Sequence, residues 1–239
     1  MAGLALEMGA LNDVAAICLD LDDTLWPIGP VIARAETTLF EWLAGRYPRV
    51  TERHDIASMR RLRERVAEDH PHMRHDLAFL RREALVRHAV EAGYPESLAD
   101  EGFDRFFTVR NEVEPFADVV PALDALRRGY RLMSLSNGNA DLQRIGLAGY
   151  FEHSLGAREA GAAKPDAKIF ELLLARAGLE PRQVVYVGDD PWADVEGARN
   201  AGLHAVWMDR FGQQWPDELP PPTHRVGDLA ELVELLAGP

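Results

Sequence analysis

The sequence predicts an α/β fold, with a parallel sheet as its core and an all-helical domain inserted into that core. Two patterns carry this prediction. After Pro115, short β-type runs alternate with segments of helical periodicity, which is typical of a parallel sheet covered on both faces. From about Ile28 to Val113 only helical periodicity occurs, so a block of helices interrupts an α/β domain that begins before it.

The first element of the predicted core is a buried strand at Val14–Leu19, a short apolar run that ends in a cluster of aspartates. The insertion follows it. Its apolar residues recur at intervals of three and four, with Arg and Glu between them, which favours four helices packed as a small bundle. These helices are predicted at 31–46, 56–66, 77–94 and 96–113.

The second half of the predicted core alternates between helices and strands, and a proline-rich stretch at 213–225 is predicted as a surface loop. The last helix is expected to close the chain. The helices are predicted at 119–129, 167–180, 193–202 and 228–237, and the strands at 131–136, 183–190 and 204–209.

The composition is that of a globular protein. Of the 239 residues 47% are hydrophobic, which allows a sizeable core, and no run approaches the roughly 18 apolar residues of a membrane span. The first segment, MAGLALEMGALNDV, has no basic residue before Arg34 and contains Glu7, so we expect no secretory signal. The net charge of −13 argues against a general nucleic-acid binder, since phosphate contacts need a basic face.

The single cysteine, Cys18, lies within the first apolar run. It has no partner for an internal disulfide, and we interpret it as a small buried hydrophobe in a reducing compartment. We therefore expect a cytoplasmic protein with no membrane partner and no nucleic-acid partner. The sequence leaves its oligomeric state open between a monomer and a homodimer.

The charge is unevenly distributed along the chain. Residues 27–114 hold 14 Arg against 16 Asp and Glu, a net charge of −2, whereas the remainder holds 12 Lys and Arg against 23 Asp and Glu, a net charge of −11. Together with the change in periodicity, this difference predicts two domains. The α/β core is predicted to comprise residues 1–26 and 115–239, and the helical domain residues 27–114.

Lysine is scarce, because only Lys164 and Lys168 are lysines among 26 basic residues. The chain uses arginine almost everywhere that a generic cation suffices. We interpret a retained lysine as a position that needs a compact ammonium group rather than a planar guanidinium.

Polar residues follow the predicted strands at several points. DLDDT (20–24) comes after the first strand, SN (136–137) after the second, and GDDPWAD (188–194) at the end of another, while KP (164–165) opens a helix. Each alone has an ordinary interpretation as a turn, a helix cap or a surface dipeptide. Because ligands bind beyond the carboxyl ends of strands in open α/β sheets, their matching placement predicts one shared site.

The DLDDT segment is suited to holding a cation. Alternate side chains of an extended segment share a side, so we expect Asp20 and Asp22 to face one pocket. Neighbouring carboxylates repel, and a divalent cation relieves the repulsion; Mg²⁺ prefers oxygen ligands of this kind. Asp189, at the end of a distant strand, is a further candidate. The predicted metal ligands are therefore Asp20, Asp22 and Asp189.

Taken in order, DLDDT, SN, KP and GDDPWAD resemble the four motifs of the haloacid dehalogenase-like hydrolases. The helical insertion directly after the first motif resembles the cap domain of that family. The resemblance spans nearly the whole core and implies a Rossmann-like sheet. It also implies a Mg²⁺-dependent phosphatase that acts on a small phosphorylated metabolite through an aspartyl-phosphate.

The family pattern assigns roles to the motif residues. Asp20 is the nucleophile. Asp22 donates a proton to the leaving alkoxide and then takes one from water, and its main-chain carbonyl binds the metal. Ser136 binds a phosphoryl oxygen, with Asn137 beside it in the substrate-binding set. Lys164 offsets the charge of nucleophile and phosphate.

The remaining motif residues have supporting roles in this pattern. Asp194 supports either the metal waters or Lys164, and Asp190 belongs to the same outer set. Which of these two acids lies nearer the metal stays open. Thr24 is expected to shape the turn after the first strand rather than to react.

Two further features suggest contacts with substrate. His70, His72 and His75 cluster between helices of the insertion, and we favour a substrate-facing loop over a metal-binding tract. Trp26 and Trp192 follow motif residues and are candidates to border the pocket, although ordinary packing is the default interpretation.

The resemblance narrows to one branch of the family. DLDDTLWPIGPVIARAE, SNGNA and VGDDPWADVEGARNAGL look most like bacterial members that dephosphorylate a flavin-pathway intermediate, 5-amino-6-(5-phospho-ribitylamino)uracil. The alternatives are a broad-specificity sugar-phosphate or nucleotide phosphatase, a phosphomutase, a 2-haloacid dehalogenase, and a non-catalytic binding protein. Family dehalogenases lack the second aspartate of the first motif, which this chain has as Asp22.

Overall fold

The computed structural model of the protein describes residues 13–237. The segment interpreted above as carrying no secretory signal lies almost entirely outside the described residues. Within 13–237, none of the helices combines the length and apolar character that crossing a membrane requires.

The core is a single sheet of six parallel strands, so the predicted α/β fold is confirmed. Their spatial order is β3-β2-β1-β4-β5-β6, the order typical of Rossmann-like folds. The short strands β3 and β6 were not predicted, and β6 includes the last residues of the predicted loop 213–225. The strands are β1 Ala16–Leu19, β2 Arg131–Ser136, β3 His153–Gly156, β4 Val184–Gly188, β5 His204–Met208 and β6 His224–Val226.

The register brings three strand ends together. Leu19, the last residue of β1, pairs with Ser134 of β2 on one side and with Val187 of β4 on the other. The chain order of the strands reverses at β1, which makes this the point of the sheet where ligands bind in folds of this type. Residues just after β1, β2 and β4 therefore lie at one edge.

β1 is fully buried, as its apolar sequence predicts. Cys18 is 0% exposed, which confirms its interpretation as a buried hydrophobe, and burial raises the pKa of its thiol. One face of the sheet forms a continuous apolar cluster with the helices that cover it. Its strand residues are Ala16, Cys18, Met133, Leu135, Leu155, Val184, Tyr186, Ala205 and Trp207.

The insertion is helical throughout its regular structure, as predicted. Its apolar cluster is built from residues spaced by three or four positions, such as Ala35, Leu39 and Leu43. The helices are α1 Ile28–Arg46, α2 Pro48–Thr51, α3 Ile56–Asp69, α4 Leu77–Glu91 and α5 Leu98–Arg110, with a 3₁₀ turn at Pro71–Met73.

The chain divides into two packing units. The helical unit comprises Ile28–Val113 and the short segment Asn139–Ile145, and the α/β unit comprises the other described residues. The backbone N–H of Asp141 donates to Oδ1 of Asn111 at 2.7 Å, and Nε of Arg110 donates to Oδ1 of Asn139 at 3.0 Å. The sequence-based boundaries, which left 139–145 in the core, stay a prediction.

The remaining helices are shorter than predicted in places. The segment predicted as one helix at 193–202 forms a π-helical stretch, Pro191–Glu196, followed by a single α-helical turn. These helices are α6 Val119–Leu126, α7 Leu142–Ile145 within the helical unit, α8 Ala157–Ala160, α9 Ala167–Ala177, α10 Gly197–Asn200 and α11 Leu229–Ala237.

A buried glutamate joins three helices of the helical unit. Glu36 of α1 is 5% exposed and lies 2.5 Å from Arg60 and 3.2 Å from Arg63 of α3, and 3.6 Å from Arg81 of α4. The Arg81 guanidinium stacks 3.4 Å from the ring centroid of Phe106. Burial lowers the pKa of Arg81 to about 9. The carboxylate is therefore the shared acceptor for three arginines.

We expect Glu36→Ala to destabilise the protein by about 3 kcal/mol, because it leaves Arg81 buried without its acceptor. Glu41→Ala is the matched control, since Glu41 is exposed on the same helix, and we expect it to change stability by no more than about 0.5 kcal/mol. Urea unfolding followed by circular dichroism measures both. Equal midpoints for the two variants would show that the arginines are solvated well enough without Glu36.

Candidate active site

The predicted nucleophile lies where the three strand ends meet. Asp20 follows β1 directly, is 6% exposed, and its backbone N–H donates to the carbonyl of Val187 at 2.8 Å. Asp189 follows β4, and Ser136 is the last residue of β2. The parallel sheet therefore brings together residues that are far apart along the chain.

Lys164 is the only cation bonded to Asp20 among the described residues, and all of its donors are used. Its buried Nζ donates to Oδ1 of Asp20 at 2.6 Å, to Oδ1 of Asp194 at 2.6 Å, and to the hydroxyl of Tyr186 at 2.8 Å. An ammonium group has three donors and no acceptor. Its hydrogen bonds are thus complete within the α/β unit.

Sequence reasoning missed Tyr186, although it completes this group. It lies in β4, is fully buried, and its hydroxyl is 3.0 Å from Oδ1 of Asp194 and 3.1 Å from the carbonyl of Leu135. Burial raises the pKa of its phenol. The available signal was a hydroxyl-bearing side chain within an apolar strand, since a buried tyrosine hydroxyl needs a polar partner.

The site carries more negative than positive charge. Asp20, Asp189 and Asp194 place carboxylate oxygens within 4.8 Å of one another, and only Lys164 pairs with them among the described residues. The net charge is −2 when all three carboxyl groups are ionised. Burial raises the pKa of Asp20, opposed by Lys164, and burial together with Asp194 raises the pKa of Asp189 to about 7. Burial alone would lower the pKa of Lys164, but Asp194 and Asp20 hold it above its usual range.

This oxygen cluster fits a hard divalent cation, because carboxylate oxygens are the ligands that Mg²⁺ prefers. Its members differ from the predicted set in one position. The carboxylate of Asp22 is not part of the cluster, and instead its Oδ1 accepts a hydrogen bond from the indole of Trp26 at 2.8 Å. Asp194 joins Asp20 and Asp189 in its place.

The turn after β1 explains the direction of Asp22. Asp23 adopts a left-handed backbone conformation with φ of 58°, and its N–H donates to the carbonyl of Trp26 at 2.8 Å. The chain therefore turns directly after Asp22, and the expectation that Asp20 and Asp22 face one pocket stays a prediction. Trp26 is 0% exposed and packs within this turn.

Asn137 and Ser136 lie beside Lys164. The side chain of Asn137 accepts from the backbone N–H of Lys164 at 2.8 Å and donates to its carbonyl at 3.0 Å, so it holds the backbone that carries the ammonium. Both ends of the amide are used in this contact, whereas substrate binding was predicted for it. The hydroxyl of Ser136 accepts from the N–H of Gly138 at 3.0 Å, and none of the described residues accepts its proton.

Asp190 and Asp194, whose distance from the metal the sequence left open, have different positions. Asp190 is exposed, and its Oδ1 accepts from the N–H groups of Trp192 and Ala193, both at 2.8 Å, as a helix cap does. Asp194 is 1% exposed and lies in the carboxylate cluster. Trp192, one of the two tryptophans suggested to border the pocket, is 51% exposed. Of the two, Asp194 is the one beside the candidate metal ligands.

Asp189 is held in place by residues of the α/β unit. Thr24 Oγ1 donates to its Oδ1 at 3.3 Å, and the indole of Trp207 donates to its carbonyl at 2.9 Å. Nε of Arg210 donates to the carbonyl of Thr24 at 2.9 Å, and its guanidinium pairs with both carboxylate oxygens of Asp118 at 2.9 Å. The sequence indicated the turn at Thr24 but not Trp207 or the Arg210 pair.

The histidine tract of the insertion does not converge on a point. The rings of His70 and His72 lie 6.1 Å apart, and His70 packs edge-on against Phe79 at 5.3 Å. In the described part of the chain, no metal-type group contains His70, His72 or His75. The substrate-facing role of this loop stays a prediction.

Comparison with known proteins gives one family. The family model described as haloacid dehalogenase-like hydrolase matches residues 14–202. Phosphoserine phosphatase of Thermus thermophilus is 40% identical over 158 residues, which is 63% of each chain and so under two thirds of that relative.

Two other relatives align over nearly the whole chain. 5-Amino-6-(5-phospho-D-ribitylamino)uracil phosphatase YigB of Escherichia coli is 28% identical over 95% of this chain and 98% of its own. The crystal structure of 2-haloacid dehalogenase from Pseudomonas syringae pv. Tomato is 37% identical and has a TM-score of 0.87, covering 94% of this chain and 98% of its own.

The packing of Gly188 against Asp194 generates a prediction. A Cβ added to Gly188 would lie 2.7 Å from the Cβ of Asp194 and closer still to its carboxylate, so only glycine fits between β4 and the π-helical stretch. We expect Gly188→Ala to displace Asp194 from Lys164 and to cost about 1–3 kcal/mol of stability. A crystal structure of the variant and its melting temperature measure these effects.

Gly45→Ala provides the control for this substitution. Nothing lies within 4 Å of a Cβ at Gly45, which is in helix α1, so we expect a gain of about 0.4–1 kcal/mol. If Gly188→Ala has the same melting temperature as Gly45→Ala and keeps the hydrogen bond between Asp194 and Lys164, the close approach of Gly188 to Asp194 does not constrain the site.

Proposed function

The chain belongs to the haloacid dehalogenase-like hydrolases, and we propose that within this family it is a Mg²⁺-dependent phosphatase that hydrolyses a small phosphate monoester through an aspartyl-phosphate. The predicted membership of this family is confirmed by the match to residues 14–202. Its curated relatives include phosphatases and also haloacid dehalogenases. The choice between these two activities rests on the site.

The observation that carries the proposal is the excess of carboxylates at the strand ends. Asp20, Asp189 and Asp194 against Lys164 leave a charge of −2, which one divalent cation offsets. Asp20 and Asp189 would hold Mg²⁺ with the main-chain carbonyl of Asp22, and Asp194 would support it. When bound, the ion supplies neutralisation and orientation of the phosphoryl group.

Asp20 is the proposed nucleophile. Lys164 holds its Oδ1 at 2.6 Å, so we assign the attack on phosphorus to Oδ2. As the new P–O bond forms, the ester P–O bond breaks, and the departing alkoxide takes a proton from Asp22. Asp22 is oriented for this by the indole of Trp26. Water then attacks the phosphorus and gives its proton to Asp22, and the bond to Asp20 breaks to release phosphate.

In this proposal Ser136 stabilises the phosphoryl group and Lys164 stabilises the nucleophile. The hydroxyl of Ser136 is oriented by Gly138 and has its proton to donate to a phosphoryl oxygen. The ammonium of Lys164 is bonded to three protein groups. Its main role is therefore to position Asp20 and reduce its charge, and Asn137 acts through Lys164 as a positioning residue.

Dehalogenation is the second candidate, because the 37%-identical structure carries that name. A haloacid dehalogenase also uses an aspartate nucleophile, but halide leaves without a proton and the reaction needs no metal. That reaction requires neither a proton donor at Asp22, which Trp26 holds, nor an excess of carboxylates around the nucleophile. The geometry therefore favours phosphate-ester hydrolysis over dehalogenation and over a non-catalytic binding role.

For the substrate we propose 5-amino-6-(5-phospho-D-ribitylamino)uracil. The relative named for that activity aligns with 95% of this chain and 98% of its own length, whereas the phosphoserine phosphatase aligns over 63% of each. The broader alternative is activity on several sugar phosphates and nucleotides. A cytoplasmic location, a monomer or homodimer, and the lack of nucleic-acid and membrane partners stay predictions.

The proposal predicts metal-dependent phosphate release. We expect EDTA to reduce the release of inorganic phosphate to background and Mg²⁺ to restore it, because the cation offsets the carboxylate cluster. Ca²⁺ should restore it poorly, since its looser shell changes the positions of nucleophile and phosphate. The measurement is a phosphate assay across sugar phosphates, nucleotides, phosphoserine and the ribitylaminouracil phosphate.

Asp20→Asn is the control for this assay, and we expect no turnover because an amide is a poor nucleophile. Chloride release from 2-chloropropionate is measured beside it. Chloride release that persists in EDTA, without phosphate release from any ester, would falsify the phosphatase assignment and establish the dehalogenase.

Lys164→Arg tests whether the site needs a compact charge. The planar guanidinium cannot reproduce the three converging bonds of a buried ammonium, and displacement of Asp20 by about 1 Å costs on the order of a hundredfold in rate. We expect at least about that loss in kcat, measured on protein with a normal melting curve. Lys168→Arg is the matched control, since Lys168 is exposed and its ammonium donates to the carbonyl of Gly161. Comparable activity of the two variants would rule out the compact-charge argument.

A further inference from the structure

Two histidines of the helical unit face each other, and three of their four ring nitrogens are buried without a hydrogen-bond partner within residues 13–237. His88, in the last turn of α4, is 1% exposed, and neither of its ring nitrogens has a hydrogen-bond partner within residues 13–237. Nε2 of His54 is also buried and unbonded within that range. Buried polar atoms are rarely left without partners, and an ion or water that binds them is the usual explanation.

These nitrogens converge with a carboxylate. The rings of His54 and His88 lie 4.4 Å apart with an angle of 61° between them. Nε2 of His54 is 3.3 Å from Oε2 of Glu91, and one ligand atom from each of the three residues lies within 4.8 Å of the others. Two ligands about 2.0–2.1 Å from a tetrahedral metal lie about 3.3 Å apart, and the distance between His54 and Glu91 equals this spacing.

The local fold fixes all three ligands. His88 and Glu91 are three residues apart on α4, which places them on one face of that helix. The backbone N–H of His54 donates to the carbonyl of Val50 at 3.1 Å, and the next residue, Asp55, caps α3 by accepting from Ser58 at 2.7 Å. The carboxyl end of α4 also favours a positive charge through its helix dipole.

The surroundings of His88 contain charged groups of both signs. A metal binds the neutral form of an imidazole. Among the charged neighbours, Glu91 favours a cation and Arg65 disfavours one. A simple ion pair of protonated His54 with Glu91 would leave both nitrogens of His88 unbonded.

We propose that the helical unit binds a divalent transition metal of the zinc class through His54, His88 and Glu91. Imidazole nitrogens suit zinc, whereas Mg²⁺ prefers oxygen ligands, so this site and the carboxylate cluster at the strand ends select different ions. The metal would tie the connection between α2 and α3 to the end of α4.

The test uses the full-length chain, stripped with EDTA and then supplied with excess Mg²⁺. Co²⁺ is added as a spectroscopic probe, and Zn²⁺ binding is measured by calorimetry. We expect one tightly bound Zn²⁺, a tetrahedral Co²⁺ absorption band and a rise in melting temperature with Zn²⁺. His54→Gln and Glu91→Gln should each weaken Zn²⁺ binding by at least about tenfold and remove the rise in melting temperature.

His72→Gln is the matched control, because His72 is an exposed histidine of the same unit, and we expect it to bind Zn²⁺ as the wild type does. Absence of a bound Zn²⁺, or equal Zn²⁺ affinity in the wild type, His54→Gln and Glu91→Gln, overturns the proposal. Loss of binding in His72→Gln alone also overturns it and moves the site to the 70–75 loop. None of these measurements uses phosphate release, so the outcome is independent of the proposed phosphatase activity.

Discussion

The arrangement at the strand ends depends on one buried ammonium group. Burying an unpaired charge costs several kcal/mol, so Lys164 is tolerated only because Asp20, Asp194 and Tyr186 accept its three donors. The dependence is mutual, since the aspartates repel each other and need a cation between them. Other features serve this contact. Asn137 holds the backbone of Lys164, and the absence of a side chain at position 188 lets Asp194 approach.

The sequence identified the residues whose position follows from the parallel sheet. Asp20, Asp189 and Ser136 end or follow strands, so their convergence is a consequence of strand order. The sequence could not show which of Asp194 and Asp190 lies nearer the candidate metal ligands, because their positions depend on a π-helical stretch that leaves no periodic signal. The strands β3 and β6 escaped prediction for a related reason, since three or four residues rich in His, Ser and Arg lack an apolar run.

The negative charge of the site makes its protonation depend on a cation. The pKa of Asp189 is about 7 in the folded protein, against 3.8 for an aspartate outside the folded structure. Without a cation the folded state therefore keeps a proton that the unfolded chain loses, and this carboxyl lowers stability as pH rises from about 4 to about 7. A bound cation favours the ionised form and displaces that proton. Under the proposed function, cation binding would therefore be linked to folding and to proton release through this one carboxyl group.

Exposure decides which groups in the helical unit require a ligand. Around Glu36 the arginines outnumber the carboxylate, but the Arg60 side chain is 47% exposed and that of Arg63 28%, so water solvates their excess charge. His88 carries no excess charge and is 1% exposed, so water does not reach its nitrogens from the surface. An unbonded polar atom without access to solvent costs more than a solvated charge. The buried nitrogens of His88, rather than the more conspicuous arginines, are therefore the observation on which the proposed metal site rests.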